Sequence, residues 1–206
     1  MRKLLVATRN VGKKREIRSL LGHLPYEIVF PEDVGLYETP EEQVLETEET
    51  FEGNARKKAE YFQKRARVPT VADDSGIEVL SLGGLPGVRS RRFAMAAPGQ
   101  DIDLANNNAL LQRLAGAPTD RRGARFRCVV VLLLDRGAVP RVFEGSCRGR
   151  IETEAKGTGG FGYDPLFYSY DLEKTFGEAS QKEKDGVSHR GEAFSALADW
   201  LEAHPL

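Results

Sequence analysis

The sequence predicts a single α/β domain, and three observations carry that prediction. The chain opens on a strand, a tight loop and a helix: an apolar run at residues 3–8, then Arg9-Asn10-Val11-Gly12, then residues 13–21 with Ile17, Leu20 and Leu21 on one face. A second apolar run, 126–134, has the pattern of a strand covered on both faces, and Asp135-Arg136-Gly137-Ala138 turns it back into 139–150 as a long hairpin. At 206 residues the chain fits one domain, 1–206, with a substantial core.

Composition excludes several function classes. Thirty Lys and Arg nearly cancel 31 Asp and Glu, and the signs are interspersed, so nothing calls for nucleic acid or an anionic membrane. The apolar run from Leu4 to Ala7 is too short for a signal peptide or a membrane span. Cys128 and Cys147 make neither a disulfide framework nor a zinc site. They could be cross-strand neighbours in the hairpin, but reduced thiols in a cytoplasmic protein are the expectation.

The first loop presents backbone N–H groups to an anion. It is not a Walker A loop: Ala7 stands where the first glycine belongs, and Lys14 where Ser or Thr should follow Gly12-Lys13. Lys13, Lys14 and Arg15 open the helix against its macrodipole, either as a phosphate site or as a solvated basic start. Residues 27–30 read as a strand and 38–49 as an acidic, irregular loop. Thr50 caps a helix running to Arg67, with Phe51, Ala55, Ala59, Phe62 and Ala66 on its core stripe. Asn54 and Lys58, four apart, reach the same place. Gly53 should weaken the first turn.

The apolar approach at 68–72 ends in Asp73 and Asp74, and Ser75-Gly76 supply turn chemistry. Such a strand end lies at the carboxyl edge of a sheet, where open α/β folds bind ligands. Strand alternation lets one Asp face a pocket while the other caps the turn, unless the bend brings both round. Adjacent carboxylates repel, which a divalent cation relieves; the plain alternative is an Asx-type turn. Gly83-Gly84-Leu85-Pro86-Gly87-Val88 is a glycine-dense loop, followed by Arg89 to Phe93. A linker-like turn at 98–101 leads into a helix at 101–114 with Leu104, Leu111 and Leu114 inward. Arg121, Arg122, Arg125 and Arg127 read as a solvated strand entry, since Phe126 is the only aromatic among them.

In Gly157-Thr158-Gly159-Gly160-Phe161-Gly162-Tyr163-Asp164-Pro165 the glycines let backbone approach a ligand, while Phe161 and Tyr163 offer flat faces to a base. Lys182, Lys184, Ser188, His189 and Arg190 precede the last helix, whose Phe194, Leu197, Ala198 and Leu201 form a core stripe. With Ser188 as N-cap, His189 and Arg190 sit in the first turn against the dipole, as ligand contacts or as an exposed pair.

Taken as one string, ADDSGIEVLSLGGLPGVRSRRFA (72–94) resembles the signature of the inosine/xanthosine triphosphate pyrophosphatases. Four more motifs extend the resemblance over nearly the whole chain. Thr8-Arg9-Asn10-Val11-Gly12-Lys13 is similar to the family's phosphate loop, although Arg9 occupies a variable position and is given no role. Thr50, Phe51, Asn54, Ala55, Lys58 and Ala59 meet its Thr-Phe-x-x-Asn-Ala-x-x-Lys-Ala pattern, with Gly53 where acidic residues are common. Residues 157–165 are similar to its nucleobase loop, and Ser188-His189-Arg190 completes the set.

The resemblance implies an elongated mixed sheet flanked by helices, with two lobes and a nucleotide cleft between them. It implies a cytoplasmic, homodimeric enzyme that needs Mg2+ and hydrolyses ITP, dITP and XTP to the monophosphate and pyrophosphate. Thr8, Asn10, Gly12, Lys13, Lys58 and Lys184 would hold the triphosphate. Ser75, Phe161, Gly162, Tyr163, Asp164, His189 and Arg190 would complete the substrate site. Glu46 and Asp74 would carry Mg2+, and Asp74 would orient or deprotonate the attacking water. The chain itself offers oxygen ligands and no His/Cys cluster, which suits magnesium better than zinc. Arg190, a donor-only group, suits the C6 carbonyl of hypoxanthine or xanthine and opposes adenine's amino group; guanine would be rejected by crowding from the 161–164 loop. Two other readings stand beside this one: a sister pyrophosphatase for pyrimidine or modified nucleotides, and a nucleotide- or RNA-binding module using the arginines without turnover.

Overall fold

The computed structural model describes residues 2–94, 97 and 99–206. Its helices and strands are β1 (Arg2–Val6), α1 (Val11–Leu21), β2 (Tyr26–Val29), α2 (Phe51–Ala66), β3 (Thr70–Val79), α3 (Ile102–Arg113), β4 (Gly123–Leu133), β5 (Arg141–Ile151), β6 (Phe167–Ser169), β7 (Lys174–Thr175), α4 (Gln181–Val187) and α5 (His189–Ala203). The strands form one sheet in the order β2-β1-β3-β4-β5-β6-β7. β1 pairs in parallel with β2 and β3, whereas β6 pairs antiparallel with β5 and β7, so the sheet is mixed as expected.

Two compact units share the sheet. The first holds the chain up to Asp74 with 128–145 and 191–206; the second holds 75–127 and 146–190. In the first, Leu4, Val6, Val71, Cys128, Val130 and Leu132 pack with α1 and α5 through Ile17, Leu21, Phe194 and Leu197. Their strand neighbours Leu5, Ala72, Val131 and Leu133 pack with Ala55, Ala59 and Phe62 of α2. Strands covered on both faces must be apolar on both, which is why their sequences run without polar alternation. The second unit has its own core, including Ile77, Leu110, Leu114, Phe126, Phe167 and Phe176.

The strand does not end at the acidic pair. β3 continues through Asp73, Asp74, Ser75 and Gly76 to Val79, and Gly76 is not among the glycines of positive φ. Neighbouring β4 is eleven residues long, and Ser90 Oγ accepts from Ile77 N at 2.9 Å. Pairing with the neighbouring strand outweighs the turn preference of two residues.

Other expectations are corrected for equally physical reasons. The acidic segment is not wholly irregular: Pro40–Val44 is a 3-10 turn, pinned by Arg9, whose Nε and NH2 reach Glu42 at 2.6 and 2.8 Å. α3 leaves Leu104 57% exposed and buries Leu110 and Leu114, because Asn106 turns inward to accept from Ala94 N and donate to Arg91 O. Arg122 is not solvated; its guanidinium is buried on the carbonyls of Leu114, Ile151 and Glu152. β6, β7 and α4 were not expected. α4 does carry a sequence signal, the Ser180–Glu183 capping box. Pro98, where the 98–101 turn was expected to begin, lies outside the described residues.

Candidate active site

Because β3 stays extended through the acidic pair, its two carboxylates leave on opposite faces, and each meets a lysine from a different helix. Asp73, 1% exposed, is held by Lys13 Nζ of α1 at 2.8 Å, with Cys128 Sγ 3.9 Å from the same carboxylate. Asp74 faces α2. Asn54 Nδ2 donates to its Oδ2 at 2.9 Å, and Lys58 Nζ lies 3.6 Å from its Oδ1. The i, i+4 spacing of Asn54 and Lys58 thus does converge on one carboxylate.

Lys58 also reaches Glu46 Oε1 at 2.6 Å, so one ammonium joins the two carboxylates expected to hold a metal. Asn54 Oδ1 accepts from Glu48 N at 2.9 Å, which fixes the segment carrying Glu46. Gly53 fits this arrangement: a Cβ there would stand 2.8 Å from Glu48 Cβ, so the glycine makes room for the approach of that segment. Burial pushes the Asp74 carboxyl above its ordinary value; Lys58 and Lys13 offset this in part, and Glu46 adds to it. Burial alone would lower Lys58, but Asp74, Glu46 and Asp73 hold it well above its ordinary value. Lys58 is thus shared between Asp74 and Glu46, whereas Lys13 contacts Asp73.

That donor set suits a hard divalent cation. Among the described residues no group of three or more His, Cys, Asp or Glu is arranged to hold a metal. Glu46 and Asp74 are two, and a hard divalent cation that also takes water and phosphate oxygens would need no more than these two carboxylates from the protein.

The expected phosphate loop is ordered by its own side chains. Asn10 is the N-cap of α1, accepting from Lys13 N at 2.9 Å, and its N–H donates to Thr8 Oγ1 at 3.3 Å. Gly12 lies in the first turn of α1. The cations opening this helix are met by carboxylates, Lys13 by Asp73 and Lys14 by Glu32.

A second cluster lies in the second unit. Arg190 NH2 donates to Ser75 Oγ at 2.8 Å, and its guanidinium carbon stands 5.6 Å from the centre of the Phe161 ring. Asp164 accepts from Phe161 N at 2.8 Å and pairs with Lys184, whose ammonium lies 5.0 Å from the same ring. Asp164, Lys184, His189 and Arg190 are each no more than 3% exposed. A Cβ at Gly160, which has φ +72°, would meet Asp164 Oδ2 at 2.0 Å; only glycine permits this turn. His189 stacks on Phe126, with ring centres 4.6 Å apart.

One expectation changes. Tyr163 offers no open face: it is 4% exposed in the core, and its hydroxyl donates to Ser90 O at 2.8 Å. Burial and Asp103 hold its phenol above the ordinary value. Lys184, expected on the triphosphate, is paired here with Asp164 of the 161–164 loop. Sequence reasoning also passed over Asp103 and Asn107 of α3, which bond both polar groups of Gly162; their i, i+4 spacing was the available signal. A groove of about 660 Å³ in the first unit, lined by Arg2, Val68, Trp200 and Leu206 among others, lies at the opposite ends of β1 and β3 from these carboxylates.

Over residues 4–200 the sequence matches the Ham1 family. The chain is 44% identical to the dITP/XTP pyrophosphatase of Syntrophobacter fumaroxidans, across 97% of this chain and 85% of that protein. It is 42% identical to the dITP/XTP pyrophosphatase of Escherichia coli strain K12, across 98% of each. The solved structure of a HAM1 protein from Coxiella burnetii matches with a TM-score of 0.85 at 32% identity, covering 98% of this chain and 100% of that one. With its α/β fold and a match along nearly the full length, the chain belongs to the Ham1 family.

Proposed function

We propose that the protein hydrolyses the triphosphates of deaminated purine nucleosides, ITP, dITP and XTP, to the monophosphate and pyrophosphate. The observation that carries this reading is the buried Asp74 sharing Lys58 with Glu46, one residue before Ser75 holds Arg190. The activity named for its relatives supports it.

The products require cleavage of the bridge between the α and β phosphates. Water adds to phosphorus, the bridging oxygen leaves with its electron pair, and the water's proton goes to Asp74, whose raised affinity for protons suits a general base. Lys13 and Lys58 carry the positive charge that a triphosphate needs, and Thr8, Asn10 and Gly12 shape the loop beside them. Mg2+ on Glu46 and Asp74 would neutralise phosphate charge and lower the barrier electrostatically. Arg190, oriented by Ser75, donates to the purine C6 carbonyl, and Phe161 offers its face to the base. Asp164 and Lys184 brace that face, and His189 supports Arg190 from the adjacent position.

A module binding RNA through the arginines at 121–127 has fewer of them free than the sequence suggests. Arg122 is buried on backbone carbonyls, and Arg125 and Arg127 both pair with Glu78. Among the described residues no helix is long and apolar enough to cross a membrane. Both cysteines are free and buried, which suits a reducing cytoplasm. The protein is proposed to act as a homodimer, which light scattering would report directly.

The deciding experiment is pyrophosphate release from ITP, dITP, XTP, GTP, ATP and dTTP, with and without Mg2+. The expected outcome is metal-dependent turnover with the deaminated purines well ahead and ATP last. Preference for dTTP would move the protein to the pyrimidine reading, and no release from any triphosphate would remove the enzymatic one.

A further inference from the structure

We propose that Asn107, backed by Asp103, sets selectivity against guanine by fixing the direction of the Gly162 peptide. The inference rests on the reading of the 161–164 loop as the base-binding loop.

Hypoxanthine, xanthine and guanine share the C6 carbonyl and differ at C2, which bears hydrogen, oxygen and an amino group respectively. Crowding cannot separate the last two, because xanthine's oxygen fills the space that guanine's amino group would take. The distinction has to be polar: an accepting group near C2 welcomes guanine's amino group and repels xanthine's oxygen. A backbone carbonyl turned toward the base would be such a group.

In this loop the carbonyls are directed elsewhere. Phe161 O accepts from Asp164 N, and Tyr163 O accepts from Leu166 N and Phe167 N. Gly162 O accepts from Asn107 Nδ2 at 3.1 Å, and Gly162 N donates to Asp103 Oδ2 at 2.7 Å. Both α3 residues therefore grip the same glycine, one on each of its polar groups. Packing does not hold it there: no atom beyond its chain neighbours lies within 4 Å of where its Cβ would stand, and its φ is +62°. Glycine with open space around it can turn easily, so the two hydrogen bonds decide where its carbonyl points. The grip is firm because α3 is itself anchored, capped by Asp101 and buried through Leu110 and Leu114.

Asn107 brings no evident gain to the fold. Its Oδ1 is buried and makes no hydrogen bond. An unmade buried acceptor costs stability, so the residue is better explained by what its amide nitrogen does at Gly162.

The test compares kcat/KM for ITP, XTP, GTP and ATP in the wild type and in Asn107→Ala, Asp103→Ala and Asp103→Asn. In Asn107→Ala the ITP-to-GTP and XTP-to-GTP ratios should fall about tenfold, the scale of one lost discriminating contact, while the ITP-to-ATP ratio set by Arg190 stays put. Asp103→Ala should follow in the same direction, and Asp103→Asn, which keeps an acceptor for Gly162 N, should restore the wild-type ratios. A merely structural role would lower all four substrates together. Unchanged purine ratios in a folded Asn107→Ala would overturn the inference, as would an equal loss on every substrate. Should that variant not fold, Asn107→Ser, which also loses the reach to Gly162, carries the same comparison. A wild type that does not prefer ITP to GTP fails the proposed function itself, before any variant is made.

Discussion

The opposite faces of β3 make a paired prediction that separates the two aspartates. Asp74→Asn should lower kcat for ITP by about 10²–10⁴-fold, the range for a lost general base. At 1.36 kcal/mol per decade, that is about 3–5 kcal/mol of transition-state stabilisation. Its stability should not fall. The folded-state pKa of Asp74 is raised, so the folded protein favours the protonated form, and above that pKa the buried charge works against folding. Asparagine removes that charge, still accepts from Asn54, and leaves Lys58 on Glu46. Asp73→Asn should do the reverse. It strips Lys13 of its buried partner, which costs about 3–5 kcal/mol for a fully buried pair. Lys13 is 14% exposed, so the lower figure applies. At about 2–4 °C per kcal/mol for a chain of this length, the melting temperature should drop by about 6–12 °C, with turnover much less affected. Pyrophosphate release and thermal melts on the two variants suffice. If Asp73→Asn loses turnover as deeply as Asp74→Asn, the division of labour by strand face is wrong.

Three further outcomes follow from particular contacts. Arg190→Ala should narrow the ITP-to-ATP ratio of kcat/KM mainly by slowing ITP, by up to about 10⁴-fold if the guanidinium is the sole reader of C6; an unchanged ratio moves that role elsewhere. Gly160→Ala would drive a Cβ into Asp164 and disturb its pair with Lys184, so a large loss of folded protein or of ITP turnover is expected, and a variant that melts and turns over like wild type would show the loop to be soft. Burial pushes the Cys147 thiol up to about 12, so the folded state keeps its proton after the unfolded chain has lost it. Stability should therefore fall as pH rises from about 9, by up to about 1.4 kcal/mol per pH unit from this group, and Cys147→Ala should flatten that fall between pH 9 and 10.

How much of this was legible in the sequence depended on the range of the forces involved. The α2 stripe and cap and the doubly buried strands read correctly because spacing alone encodes them: Thr50 caps the helix expected of it, and Ala55, Ala59 and Phe62 face the core. Ser75-Gly76 misled because turn preference is local while a β-ladder is not, and the neighbouring strand's hydrogen bonds prevailed. Arg122 and Tyr163 misled for a related reason. A guanidinium or a phenol reads as exposed until distant carbonyls are known to wait for it inside. Gly53 looked like a flaw in a helix because the segment that needs its missing Cβ is outside the helix.

The correction at β3 also changes how the two acidic residues should be understood. As a turn, Asp-Asp-Ser-Gly would gather its polar groups at one point and share them. As a strand, it sends them apart, and the chain answers each carboxylate separately, Lys13 from α1 for Asp73 and Lys58 from α2 for Asp74. The two answers are not equivalent. Lys13 faces Asp73 directly, a short contact between one lysine and one carboxylate. Lys58 is divided between Asp74 and a closer Glu46, and Asn54 holds both Asp74 and the backbone of Glu48 beside them. A buried carboxylate whose burial outweighs the pull of its shared cation is poorly placed for stability and well placed to take a proton or a metal. The extended backbone thus gives two identical neighbours different surroundings, which is why the proposed mechanism assigns the reactive role to Asp74 and the paired test above separates it from Asp73.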